Sequence, residues 1–218
     1  MKRVSSDKYT IAWFKLSECI ARGEKERALG MYRLLAHSLD NSAFAKQLEG
    51  DILLFFNDNA AYEKYNEAVK IYVNQQRFLE AAMTYEHLLS IGVEPSQDYL
   101  ADLVEWYSRA QAYDKVKQYG MQWTNALMKK QDWTHVEKNI QLFIAMFGSD
   151  SWVCQLRQRV IEAAITHQAD HEIVEHFITT FLTALIAVND AHAMQLLLFY
   201  LRTTNTEYYE KACQHING

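Results

Sequence analysis

A three-residue motif recurs along the chain: a small residue, an aromatic four positions on, and a small or aliphatic residue three further. It reads Ala28-Tyr32-Leu35, Ala61-Tyr65-Ala68, Ala81-Tyr85-Leu88 and, degraded, Val116-Gly120-Trp123. Steps of four and three keep these side chains on one stripe of an α-helix, so each copy predicts a helix that buries one face. Ala28 and Ala61 stand 33 residues apart, and Ala81 and Val116 stand 35 apart. A period in that range belongs to solenoids of helical hairpins, in which each hairpin buries its face only against its neighbours. The step of 20 residues from Ala61 to Ala81 breaks the period and leaves the phase of the repeats open.

Composition points the same way. A chain of 218 residues with average usage would hold about 15 glycines and about 11 prolines; this one holds 7 and 1. Strand-rich folds need turn residues roughly every 8–12 positions, and so few glycines and prolines cannot supply them. Half of the residues are hydrophobic and 13% are aromatic, enough for a sizeable core. No Ser/Gly-rich stretch, charge block or low-complexity run marks a linker, so one α-solenoid domain over 1–218 is expected.

The pattern predicts about twelve helices, over 8–22, 24–38, 43–56, 59–74, 77–91, 96–110, 113–129, 133–147, 151–166, 170–188, 191–202 and 206–216. The breaks carry short polar side chains that can accept from the free amides of a first helical turn: Asp40-Asn41-Ser42, Asp58-Asn59, Asp132, Ser149-Asp150-Ser151, Asn189-Asp190 and Thr206-Glu207. Pro95, with Ser96, stands at a helix opening, where a missing amide costs least. Short, uniform rods favour stacked antiparallel hairpins over a four-helix bundle.

The first hairpin contains Trp13-x2-Leu16-Ser17-x2-Ile20, then Gly23, then Ala28-x3-Tyr32. This resembles the tetratricopeptide repeat, whose pattern is Trp-x2-Leu-Gly-x2-Tyr followed by Ala-x3-Phe and Pro. A second match runs Tyr65, Ala68, Val69, Tyr72, then Ala81-x3-Tyr85-x2-Leu88, with Pro95 beyond; a third runs Leu100, Leu103, Val104, Tyr107, then Val116-x3-Gly120-x2-Trp123. Ser17 replaces the family's glycine and Ile20 its tyrosine. The resemblance covers 9–130, while 131–218 reads as divergent helical hairpins with a C-terminal cap. It implies a right-handed superhelix acting as a protein-interaction adaptor or scaffold, without catalytic activity or cofactor. Pairing 59–74 with 77–91 and 96–110 with 113–129 is the preferred phase, and it leaves 43–56 as an odd helix.

In that phase the resemblance implies a concave groove lined by first helices, with Glu63, Asn66, Glu67, Lys70, Asp98, Asp102, Glu105 and Arg109 facing a partner. Five of these eight are acidic. Residues 51–110 hold ten Asp/Glu against four Lys/Arg, whereas 1–50 hold six against nine. An acidic groove attracts a basic protein or peptide segment; the plainer reading is that these carboxylates solvate an exposed helix face. The Lys, Asn and Arg set with which the family grips a terminal carboxylate is absent here, so an acidic tail is not the expected ligand.

Other chemistry is thinner. His167 and His171 are one helical turn apart, with Glu172, Glu175 and His176 close behind. The run from His171 to His176 misses His-Glu-x-x-His by one residue, a rotation of about 100° on a helix, and Asp170 looks like an N-cap that separates His167 from His171. Surface or turn histidines, rather than a metal site, are expected. No phosphate-binding glycine pattern occurs. Cys19 and the five tryptophans (Trp13, Trp106, Trp123, Trp133, Trp152) read as packing residues. A net charge of −5 argues against nucleic acid, which calls for clustered Lys/Arg. The longest mostly apolar stretch, 177–188, is 12 residues against the about 20 needed to span a membrane. Residues 1–7 lack the apolar core of a signal peptide, and Cys19, Cys154 and Cys213 are odd in number and far apart. A reducing cytoplasm is expected. Two rival readings stand beside the adaptor: a self-associating protein that pairs through its apolar C-terminal helices, and an all-α metal protein or enzyme built on His167, His171 and Glu175.

Overall fold

The computed structural model describes residues 4–37, 39, 41–92 and 97–217; Asp40, Pro95 and Ser96, expected at helix openings, lie outside them. Among the described residues every regular element is an α-helix, twelve in all. The chain divides into two compact units, Met1–Val116 and Lys117–Gly218. The first holds α1 (Val4–Ala21), α2 (Lys25–Ala36), α3 (Ser42–Phe55), α4 (Ala60–Asn74), α5 (Phe78–Ser90) and α6 (Gln97–Arg109). Helix α7 (Tyr113–Lys129) contains the point of division. The second unit holds α8 (Trp133–Phe147), α9 (Ser151–Thr166), α10 (His171–Ala187), α11 (Ala191–Thr204) and α12 (Thr206–Asn217). Within each unit successive helices pack on one another, and α12 also lies on α10. The arrangement is repeat-like, and each helix start falls within a few residues of the position read from the sequence.

Seven of the connections are the same corner. At Gly23, Asn57, Gln76, Gln111, Gln131, Gln168 and Asn189 the backbone turns left-handed, with φ between 53° and 74°. The amide of each donates to the carbonyl three residues back, and the next amide to the carbonyl five back. Thus Gln76 donates to Val73 (2.9 Å) and Arg77 to Tyr72 (2.9 Å). Two carbonyls that a helix end leaves free are satisfied in this way. The intervals between corners alternate: 34, 19, 35, 20, 37 and 21 residues. Corner geometry therefore recurs every three helices, at 53–58 residues. The short step that disturbed the sequence period is a regular interval, the length of chain between the corners that bracket α4, α7 and α10. Helix α3 is accordingly no odd element: it precedes α4 as α6 precedes α7 and α9 precedes α10.

The stripes are where the spacing put them. Every residue of the recurrent motif is buried except Trp123, which is half-buried. The degraded copy has a packing cause: a Cβ on Gly120 would stand 2.6 Å from Cζ of Phe143, so the α8 ring fills the room an aromatic on α7 would need. Gly50 of α3 does the same for Tyr65, whose ring would lie 3.1 Å from a Cβ there. Caps form at Asn41, Asp132, Asp150 and Asp190, each accepting from an amide of the first turn. Two differ from expectation. Asn205, not Thr206, accepts from Tyr208 (3.2 Å), and Asp170 occupies the N-cap position of α10 without a side-chain bond.

Trp13 also departs from its expected packing role. It is exposed, and among residues 10–21 only Leu16 is buried; Leu16 joins the α2 cluster with Ala12, Cys19 and Ile20 packed beside it, and Trp13 stands outside that cluster. In the second unit, α10 is the central helix. Phe177, Ile178, Phe181, Leu182 and Leu185 are buried in one cluster with residues of α7, α8, α9, α11 and α12. Helix α11 buries only Leu197 and Leu201.

Candidate functional site

Helices α4, α5 and α6 line an open hollow of about 460 Å³. Asn66, Val69, Lys70, Val73 and Asn74 reach it from α4, one turn after another along that helix, because α4 spends its opposite stripe (Ala61, Tyr65, Ala68, Tyr72) on the core. Tyr85 comes from α5, and Asp102 and Trp106 come from α6. The Tyr85 ring is fixed edge-on between Tyr99 (4.7 Å, 73°) and Trp106 (5.2 Å, 60°). Offset and edge-on aromatic contacts of this kind are favourable beyond their buried area, so the floor is preorganised. Tyr85 and Trp106 are buried and show the hollow only part of their rings.

Asp102 is the electrostatic centre of this hollow. Burial raises its proton affinity above that of an ordinary aspartate, and the charges of Glu105 and Asp98 raise it further. No ion pair joins it to Lys70 or to any other cation among the described residues. The carboxylate is thus held in an unfavourable field that an incoming cation would relieve.

The eight residues expected in a groove have three fates. Asn66, Lys70 and Asp102 meet at the hollow. Asp98 and Glu105 stay exposed on α6, and Glu105 holds Arg109 at 2.7 Å while the guanidinium lies over Phe78 at 4.8 Å. Glu67 is engaged by α3 and by its own helix: it binds Lys46 at 2.5 Å and Lys64 at 3.2 Å. The hydrogen bond from Lys46 is the main reason its carboxyl stays below the usual range. Glu63 is exposed and does not line the hollow. Sequence reasoning missed Tyr85, Trp106, Val69 and Val73 as site residues, because a stripe aromatic reads as core whether or not one edge of it is left open.

The histidines form a different arrangement. His167 ends α9 and His171 opens α10, on separate segments as Asp170 suggested. The ammonium of Lys211 binds Glu175 and reaches His171 Nε2 at 2.5 Å. Its bond is the largest cause of the depressed Glu175 carboxyl. Tyr208 stacks on the His171 ring (5.0 Å, 23°) and meets Nδ1 at 3.0 Å. The cation at this cluster is therefore the protein's own. His176 lies 3.6 Å from Glu137. Among the described residues no three His, Cys, Asp or Glu converge as metal ligands would, and no helix is long and apolar enough to cross a membrane. No family model matches the sequence, and no curated protein is significantly similar to it.

Proposed function

We propose that this chain is a non-catalytic interaction adaptor of the tetratricopeptide-repeat type, a right-handed superhelix that captures a basic protein segment in the α4–α6 hollow. The observation that carries this reading is the meeting of Asn66, Lys70 and Asp102 over Tyr85 and Trp106, with an Asp102 carboxylate that lacks a cation. A lysine or arginine of the partner would set its charge beside Asp102 and lay its stem on the aromatic floor. Asp98 and Glu105 would steer its approach. Cys19, Cys154 and Cys213 are all free thiols, which suits a reducing cytoplasm.

The test is titration of a Lys/Arg-rich decapeptide, followed by tryptophan fluorescence, against the wild type and the Asp98→Lys, Asp102→Lys, Glu105→Lys triple variant. Three reversed charges at about 0.5 kcal/mol each predict about tenfold weaker binding, with helicity unchanged, and salt should weaken the wild type in the same direction. Equal affinity in the two proteins would sink the assignment of the hollow. A second reading has its own observation. Ile186 and Val188 at the end of α10, and Leu196 and Phe199 on α11, are exposed, Phe199 at 70%. Large apolar surface of this kind serves association. Self-association through α10 and α11 would appear as a mass that grows with concentration and is lost in Phe199→Asp.

A further inference from the structure

Among the described residues Arg157 of α9 has no carboxylate in contact with it: burial lowers its proton affinity, and Cys154 and, from beyond ion-pair distance, Glu137 offset only part of that. Arg157 is only 9% exposed, and among the described residues neither a hydrogen bond nor an ion pair reaches its guanidinium. The ring of Phe181 lies 4.8 Å from it. A largely buried guanidinium with no protein acceptor is poorly compensated for its lost hydration, and a ring face offsets only part of the loss. The carboxylates of this region are committed elsewhere. Asp150 binds Lys117 at 2.9 Å and the Trp152 amide at 2.7 Å. Asp190 caps α11 through the Ala193 amide at 3.0 Å. Glu137 holds Gln141 at 2.8 Å and faces His176 at 3.6 Å.

Arg157 lines a hollow of about 50 Å³ between the α8–α9 turn, α9 and the end of α10. Ile144, Val153, Leu185 and Val188 make its walls apolar, and Ser149 adds a hydroxyl from the exposed turn. One water needs about 10–15 Å³ on this scale, so the space suits a group of a few heavy atoms. The guanidinium fork matches a carboxylate's two oxygens better than it matches a spherical ion.

We propose that Arg157 anchors a binding site for a carboxylate on a short aliphatic stem, the two oxygens taking the guanidinium N–H donors and the stem lying against Ile144, Val153 and Val188. Two sources share this chemistry: a free short-chain acid, and the C-terminus of a polypeptide that ends in a small apolar residue. The site lies in the second unit and is independent of the α4–α6 hollow.

The test uses the full chain. Butyrate is titrated while the backbone amide resonances of Val153 and Leu185, which line the hollow, are followed in a nitrogen-edited NMR spectrum of wild type and variants, with sodium chloride at equal ionic strength as the control. A saturable shift with butyrate and none with chloride is expected, and affinity should fall about tenfold or more in Arg157→Met. Arg157→Lys, which keeps the charge and loses the fork, should fall between the two. A pentapeptide ending in valine and its C-terminal amide separate the sources. Binding of the free-acid peptide but not the amide assigns a chain terminus, and binding of butyrate alone assigns a free acid. A chloride response equal to that of butyrate, a response that does not saturate, or unchanged affinity in a folded Arg157→Met would each overturn the proposal. The wild-type titration decides on its own should the methionine variant fail to fold.

Discussion

Replacing helical glycines by alanine should change sign from one site to the next, and the sign follows from what a new methyl group would meet. In an open helical position the exchange gains about 1 kcal/mol, because alanine loses less backbone entropy than glycine on becoming helical. Gly30 of α2 is such a position, with nothing within 4 Å of the added Cβ. At Gly120 the Cβ would lie 2.6 Å from Cζ and 3.0 Å from Cε1 of Phe143. Carbons in contact settle at about 3.5–4.0 Å, so the ring must retreat by about 1 Å. It has little room to do so, being fully buried and edge-on to Trp152 at 5.2 Å. Overpacking of this kind costs about 1–3 kcal/mol. Set against the helical gain, Gly120→Ala should lose about 1 kcal/mol, leaving it about 2 kcal/mol below Gly30→Ala. Urea unfolding followed by circular dichroism measures both from midpoint shifts at a common slope. In a Phe143→Leu background, where the ring is gone, Gly120→Ala should become stabilising. Equal stabilisation by Gly30→Ala and Gly120→Ala in the wild type would refute the close approach of α7 and α8 through Phe143.

Two further outcomes are expected. Gln76→Gly should stabilise by about 0.5–1 kcal/mol, since a left-handed non-glycine costs about 1–2 kcal/mol and the added freedom of the unfolded chain takes back part of it; an unchanged or lower urea midpoint would contradict the corner geometry. Asp102→Asn should stabilise at pH 7. The native carboxyl has a raised pKa, so its favourable contribution exists below the ordinary value of about 3.9 and is lost as pH rises through the native one. The advantage of the variant must therefore shrink on acidification to about pH 3, where aspartate is protonated in both states, and a constant advantage would show that Asp102 is not buried among like charges.

Helix number, helix limits and the buried stripes were legible in the sequence because they depend on local periodicity. Ala61, Tyr65 and Ala68 sit where steps of four and three must put them, and Asp132 and Asp190 cap helices by a chemistry that acts within three residues. The three-helix rhythm was hidden because four of its seven left-handed corners fall at glutamine, a residue with no bias toward that conformation. The emptiness at Gly120 belongs to a ring 23 positions away on another helix, which no local pattern records. Of the residues that line the hollow, the sequence singled out Asn66 and Lys70 on α4 and Asp102 on α6, because polar positions on an exposed helix face follow from periodicity. Glu67 went astray because Lys46 and Lys64 compete for it, and Arg157 escaped notice because the sequence gives no sign that its neighbouring acids are occupied.

Four of the seven corners are held by glutamine, whose own preference is to continue a right-handed helix. Glycine at such a position writes the bend into the chain itself; glutamine does not. Relieved of its surroundings, the stretch 60–90, which now forms α4, a corner at Gln76 and α5, would run more easily as one straight rod. The reversal of direction is thus borrowed from tertiary packing, and a pair of helices cut out of this protein would behave less as a ready-made hairpin than as a bent spring set free.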